Sequence, residues 1–293
     1  MTLRTTNRRA TRRLTSEQYD YVVVGSGAGG GTVAARLAEK GASVVVLEAG
    51  GDPRDCGQFA YDVPAFHALE CENDAIKWDF FVRHYTDEGA PRVLYPRAGT
   101  LGGCTAHNAM IFVCPHNEDW KAVANLTRDA SWLPENMRRY FQRLERCSYR
   151  PLDRFLSFVG RNASRHGFNG WLSVELPRLS AKTFFEVMEP ICPELARAFA
   201  LDRDKIQKLR WLAEAGLDAN DWQLVREDSV GLRSVPLTTT NHHRAGARER
   251  LLQMQKRHPD RLKIQLNALA TKVLFDDSNC AKGVEYLRGE GLY

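Results

Sequence analysis

Residues 19–48 change periodicity twice within thirty positions, and this constrains the fold more than any other feature of the chain. Asp20-Tyr21-Val22-Val23-Val24 is a short β-branched run that reads as a strand buried on both faces, and it stops at Gly25. Gly25, Gly27 and Gly30, with Ser26 and Ala28 between them, complete a G-x-G-x-x-G pattern. Val33, Ala34, Leu37 and Ala38 then share one helical face, and Gly41 stands where a C-terminal cap belongs. Val44-Val45-Val46-Leu47 reads as a second buried strand, followed by Glu48 and Ala49. Strand, glycine turn, helix and strand make a βαβ unit, which predicts an α/β, Rossmann-like fold.

Each residue type in that unit has a physical task. Gly25 permits the tight turn, Gly27 lets backbone amides approach a diphosphate, and Gly30 lets the helix lie close to the sheet. The positive end of the helix faces the diphosphate. Glu48 follows Gly30 by 18 residues, a spacing at which a carboxylate accepts hydrogen bonds from ribose hydroxyls. FAD and NAD both satisfy this pattern, so the motif alone leaves the choice open.

A second segment runs Arg97-Ala98-Gly99-Thr100-Leu101-Gly102-Gly103-Cys104-Thr105-Ala106-His107-Asn108-Ala109-Met110-Ile111. The adjacent Gly102 and Gly103 allow main chain to approach a flat ligand, and the amides that follow can donate to it. At these residues the chain resembles the glucose/methanol/choline family of FAD-dependent oxidoreductases. Asp20 to Gly31, Val46 to Gly50, Arg97 to Ile111 and Thr238 to Tyr286 carry the likeness, which spreads over most of residues 19–293. The resemblance implies FAD rather than NAD, with Cys104 to Ile111 beside the isoalloxazine ring, Trp78 near it and the Val273 main chain approaching the adenine. Some family members have Gly-Gly-Cys-Ser-Ser-His-Asn in this position, and their histidine is joined covalently to the flavin 8-methyl carbon. Gly-Gly-Cys-Thr-Ala-His-Asn here marks His107 either for the same attachment or as a histidine packed beside the ring and only hydrogen bonded.

By resemblance the reaction is oxidation of a small-molecule alcohol, with hydride passing to flavin N5 and a base taking the hydroxyl proton. Family members supply that base as a histidine, partnered by His or Asn, far along their C-terminal half, beyond the counterpart of Tyr293. No catalytic base is therefore assigned to this chain. His242 and His243 read as turn or cap residues, His116 as structural, and His67, His84, His166 and His258 as lacking an accompanying constellation. Two readings follow: the N-terminal portion of a flavin-dependent alcohol oxidoreductase, or a noncatalytic remnant that binds FAD or interacts with other proteins.

Charge and cysteine usage narrow the alternatives. Net charge is +5, yet Arg4, Arg8, Arg9, Arg12 and Arg13 precede the first acid, Glu17, and the rest of the chain balances 36 basic against 36 acidic residues. A neutral body argues against a nucleic-acid groove. Tyr21 to Ala35 is uncharged over 15 residues but holds five glycines, short of the ~20 apolar residues a transmembrane helix needs. Seven cysteines at irregular spacing, with no C-x-x-C pair, indicate neither a disulfide framework nor a metal site. Without a recognisable signal peptide, this favours a reducing, cytoplasmic setting. The expected layout is a basic tail at 1–18, an FAD-binding domain at 19–150 completed by 231–293, and a partial α+β substrate domain at 151–230. Within it, residues 51–95 read mainly as loops, 134–147 as a helix, 247–254 as a helix capped at Asn241, 262–266 as a half-buried strand, and 273–286 as a hairpin.

Overall fold

In the computed structural model of the protein, residues 17–87, 89–176, 218–229 and 233–293 are described. The arginine-rich tail before Glu17 lies outside them, as do residues 177–217, most of the expected substrate domain's second half, including Cys192.

Tyr21–Val24 forms strand β1, Ala28–Glu39 helix α1 and Val44–Leu47 strand β2. The strands are parallel, with Tyr21 opposite Val44 and Val24 opposite Leu47. Gly41, at φ +105°, follows the C-terminal residue Lys40 in the left-handed conformation that a side chain disfavours. Far along the chain, helix α2 (Ala247–Arg257) leads into strand β3 (Leu262–Gln265), which pairs in parallel with the other side of β2. The order β1-β2-β3 makes β2 central, and all four of its residues are buried. Strand β1 is an edge, with Tyr21, Val22 and Val24 exposed by 49%, 39% and 54%. The expectation that β1 is covered on both faces is thereby corrected: a β-branched run marks a strand, but neighbours decide its exposure.

Ala34, Ala35 and Ala38 of α1 pack with Val44, Val46, Leu101, Leu251, Met254 and Leu262 in one buried cluster. Small residues let α1 sit tightly between the sheet and α2: a Cβ on Gly31 would lie 2.6 Å from the Ser26 carbonyl oxygen and 3.0 Å from the Ala247 Cβ. Helix α2 begins at Gly246, whose N–H is accepted by the Glu249 carboxylate at 3.0 Å. Asn241 is not the cap; it sits five residues earlier at φ +52°. Beyond β3, strands β4 (Ala268–Phe275) and β5 (Ala281–Arg288) form an antiparallel hairpin longer at both ends than residues 273–286. Residues 51–95 hold short helical turns and two-residue strand pairs rather than continuous loop, with Lys77–Trp78 pairing Arg97–Ala98 and Phe81–Val82 pairing Val93–Leu94.

Contacts divide the described chain into two units: residues up to Met110 together with His243–Tyr293, and Ile111–His242. Residues 111–150, grouped by the sequence reading with the nucleotide-binding part, cluster in the second unit. There the helix begun at Pro134 ends at Leu144, and Glu145–Cys147 instead pairs in parallel with Leu172–Val174. Hydrogen bonds from Cys147 N–H to the Gly167 carbonyl and from Gly170 N–H to the Glu145 carbonyl hold those three residues extended. His116 caps the helix Asn117–Thr127, its ring Nδ1 accepting from Glu118 N–H at 3.2 Å. No helix among the described residues is long and apolar enough to cross a membrane.

Candidate cofactor site

The turn between β1 and α1 is shaped by glycines. Gly25 has φ +85°, and its N–H is accepted by the Leu47 carbonyl at 2.8 Å. A Cβ on Gly30 would stand 2.1 Å from the Gly25 carbonyl oxygen and 3.1 Å from Val23 Cγ1, so no side chain fits there. Ala28 opens α1, and Gly27 precedes it as an extended N-terminal residue with no side-chain cap on the first amides. Ser26, wholly buried, donates its N–H to Glu48 Oε2 at 2.8 Å and its hydroxyl to the same oxygen, while Gly50 N–H reaches Glu48 Oε1 at 3.2 Å. Burial raises the Glu48 pKa, and the donors from Ser26, Gly50 and Ala49 oppose that rise. With two donors from Ser26 and one each from Gly50 and Ala49, the four lone-pair directions of the carboxylate are engaged within the turn.

Ser26 also ties the turn to the second segment. Its hydroxyl oxygen accepts from Gly102 N–H at 2.9 Å and lies 3.3 Å from the Thr100 carbonyl. Gly102 and Gly103 have φ +99° and +53°, and a Cβ on Gly103 would come within 2.7 Å of Gly27 Cα. The two glycine-rich stretches, 76 residues apart, therefore touch backbone to backbone. Gly99 makes a comparable approach: its oxygen would be 1.7 Å from a Cβ on Gly50. Trp78 pairs with Arg97 across two short strands, and its indole stacks on Phe80 at 5.4 Å and lies 4.4 Å from the Tyr293 ring. Arg97 lies over the Tyr95 ring, 3.9 Å from its centre.

Gly103–Ala106 is a 3₁₀ turn that includes Cys104 and delivers His107 at its end. His107 is 4% exposed; burial lowers its pKa, and the positive charges of Arg244 and Arg97 and the neighbouring His67 lower it further. Asn108 Oδ1 accepts from Met110 N–H at 3.2 Å and from Arg244 Nη1 at 2.8 Å. Met110, buried, takes φ +59°, and Ala109 between them is half-buried.

Comparison with known proteins adds the family. Residues 23–79 match the NAD(P)-binding Rossmann-like domain. Over 276 residues the chain is 27% identical to an oxygen-dependent choline dehydrogenase of Pseudomonas putida, covering 94% of this chain and 43% of that one. The chain is similar over 94% of its length to such proteins of the glucose/methanol/choline oxidoreductase type. It corresponds to the N-terminal portion of those proteins and spans less than half the length of the curated relatives just compared. A pyranose dehydrogenase of Agaricus campestris is 34% identical over 160 residues, covering 53% of this chain and 26% of that one. Among solved structures, pyridoxine 4-oxidase from Mesorbium loti superposes with a TM-score of 0.65 at 20% identity, over 92% of this chain and 46% of that one. Formate oxidase of Aspergillus oryzae does so at 0.64 and 19%, over 94% and 43%. At those identities the superpositions establish the shared fold.

The structure gathers Gly25, Ser26, Gly27, Ala28, Gly30, Glu48 and Ala49 with Gly99, Gly102, Gly103 and Cys104 in one glycine-rich region of close backbone approach. His107, Asn108, Ala109 and Met110 continue from it, with Trp78 and Arg97 on the strand pair beside Gly99. Of the other family-implied residues, Val273 is paired with Val284 in the hairpin and is 42% exposed, and Ile111 clusters with the second unit, bridged to Leu237. Sequence reasoning missed Gly50, Thr100 and Arg244, because each acts through a partner distant in sequence. It also misjudged His166. That ring is buried in the second unit, with Nδ1 2.9 Å from Glu145 and Nε2 2.9 Å from Asp218, and Cys147 adjoins Glu145 and His166. Its partners lie 21 and 52 residues away, so only the folded chain makes the constellation. Burial alone would lower the His166 pKa; the hydrogen bonds to Asp218, Cys147 and Glu145 raise it well above 6.5. Both ring nitrogens are engaged by carboxylates, as in an imidazolium held between two charges.

Proposed function

We propose that the first unit binds FAD and that the chain supplies the flavin-holding part of an oxidoreductase acting on the CH–OH group of an alcohol. The observation that carries this reading is the backbone contact of Gly27 with Gly103. Two segments that approach so closely at Gly27 and Gly103 that a Cβ on Gly103 has no room leave amide-lined surface of the kind a dinucleotide diphosphate and a flat ring require. The amides at the start of α1 are free of a side-chain cap and would hold the diphosphate. Glu48, fixed by Ser26 at the end of β2, is the carboxylate that would lie toward the ribose. Two relatives support the reaction class, one being a choline dehydrogenase and the other a pyranose dehydrogenase. FAD, when bound, supplies the hydride-accepting chemistry.

His107 is proposed as the point of covalent attachment. A buried, uncharged imidazole keeps a lone pair for attack on the flavin 8-methyl carbon. With FAD bound, attachment would replace one flavin C–H bond and the imidazole N–H bond with a C–N bond, and would need a two-electron acceptor such as dioxygen to take the two electrons and two protons released. For this chain the proposal is confined to holding the cofactor; turnover of an alcohol is proposed for the full-length relatives' architecture. The proposed setting is a reducing compartment such as the cytoplasm, argued from the irregular spacing of the seven cysteines in the sequence. Titrating the purified, folded chain with FAD in a calorimeter tests the reading: saturable heat supports it, and no heat with an unchanged melting temperature overturns it.

A further inference from the structure

Arg244 is a large, almost wholly buried cation, 2% exposed, on the short strand His243–Arg244 just before α2. Its Nε donates to the Tyr61 carbonyl at 2.7 Å. Its Nη1 donates to the Thr105 carbonyl at 3.1 Å and to both the carbonyl and the Oδ1 of Asn108 at 2.8 Å. Every one of those acceptors is uncharged. Among the described residues no carboxylate is hydrogen-bonded to it, and Nη2 is buried with no partner. Removing an ionised group from water without a bonded counter-charge is costly, so a purely structural tie is poorly served by this choice of residue. A neutral amide or a hydroxyl reaching the same carbonyls would stitch the loop more cheaply.

The arrangement makes sense around His107. The two carbonyls that Arg244 grips, Thr105 and Asn108, bracket the His107 peptide, while the His107 N–H is accepted by Cys104 and its carbonyl receives the Cys71 thiol at 3.5 Å. The segment is thus fixed on either side of the imidazole by one guanidinium. The charged and titratable groups around the ring are Arg244, Arg97, His67 and Cys71, with Glu70, Asp62 and Glu249 acting on Arg244 from the elements packed against it.

We propose that Arg244 is a positioning residue of the cofactor segment: it locks the 105–108 backbone and holds a permanent cation, with no hydrogen-bonded carboxylate, next to the His107 peptide. Only the neutral ring has a lone pair to offer. An imidazolium neither attacks an electrophilic carbon nor accepts a hydrogen bond. The inference rests on the reading that His107 lies beside the flavin, but its electrostatic half concerns this chain alone.

The test follows the histidine ring resonances of the full chain through a pH titration by NMR, with His107→Asn identifying the signal. In the unaltered chain His107 titrates below the ordinary 6.5. Arg244→Gln moves that midpoint upward and weakens FAD binding about tenfold. Arg244→Lys retains the charge but, as a compact ammonium, does not span Tyr61, Thr105 and Asn108. It therefore keeps the low midpoint while losing affinity to a similar degree. A His107 midpoint at or above 6.5 in the unaltered chain overturns the proposal, and so does an unmoved midpoint in a folded Arg244→Gln variant. Failure of the cofactor reading is separately visible, as absent FAD binding in the unaltered chain with the midpoint shift intact.

Discussion

His107 and Gly103 show how single residues set what this chain can hold. Burial beside Arg244 and Arg97 keeps the imidazole unprotonated down to pH values below its ordinary 6.5. Formation of acid-stable flavin on the purified chain should therefore be flat from about pH 8 to about pH 6.5 and fall only at lower pH, where protonation removes the nucleophilic lone pair. His107→Asn should leave all colour in the supernatant after acid precipitation while retaining reversible FAD binding; a yellow pellet from that variant would place the linkage elsewhere. Gly103 tests the close approach itself. With φ +53° and Gly27 Cα only 2.7 Å from where a Cβ would stand, Gly103→Ala forces the two segments apart. Calorimetry should show FAD affinity lower by more than tenfold, with a smaller change in melting temperature.

At the scale of elements, close packing and buried charge pairs divide the stabilising work between the two units. In the first unit, α1 meets Ser26 and α2 through Gly31, and Gly31→Ala should cost about 1–3 kcal/mol in urea unfolding through overpacking. In the second, His166 joins the strand Glu145–Cys147, the 166–170 turn and Asp218. Removing the ring leaves two buried carboxylates without their common partner, so His166→Gln should cost about 3–5 kcal/mol. The loss should depend on pH with a definite sign. The raised His166 pKa means that its contribution is complete below about 6.5 and declines as pH rises through the folded-state value. The lowered Asp218 pKa means that its contribution is complete above about 3.9 and is lost as pH falls through its folded-state value. The unaltered chain and His166→Gln should accordingly differ more at pH 5.5 than at pH 9; an equal gap at both would show that the ring is not charged in the folded state.

For the molecule as a whole, the three-stranded parallel sheet ends on an open edge. Strand β1 has β2 on one side and no strand on the other among the described residues, and it presents Tyr21, Val22 and Val24 to solvent. An apolar edge with unpaired N–H and C=O groups is a template for pairing with another chain. The chain expressed alone should therefore associate as its concentration rises, and the double change Val22→Lys with Val24→Lys should shift sedimentation toward the monomer. Concentration-independent sedimentation of the unaltered chain would contradict this.

The βαβ unit, the glycine turn, the double-glycine segment and helix α2 were legible in the sequence because their signals are local. Backbone conformations open to glycine and apolar periods of two and 3.6 act over a few residues. The contact of Gly27 with Gly103, the grip of Arg244 on Thr105 and Asn108, the exposure of β1 and the carboxylate clamp on His166 were decided only by the tertiary structure. Each joins residues 21 or more positions apart or depends on which strand lies alongside, and periodicity carries no record of either. Motif and periodicity thus determined the βαβ framework and its glycine-rich turns; the folded chain decided which charges are buried against them, because burial and the partner that offsets it exist only once distant segments meet.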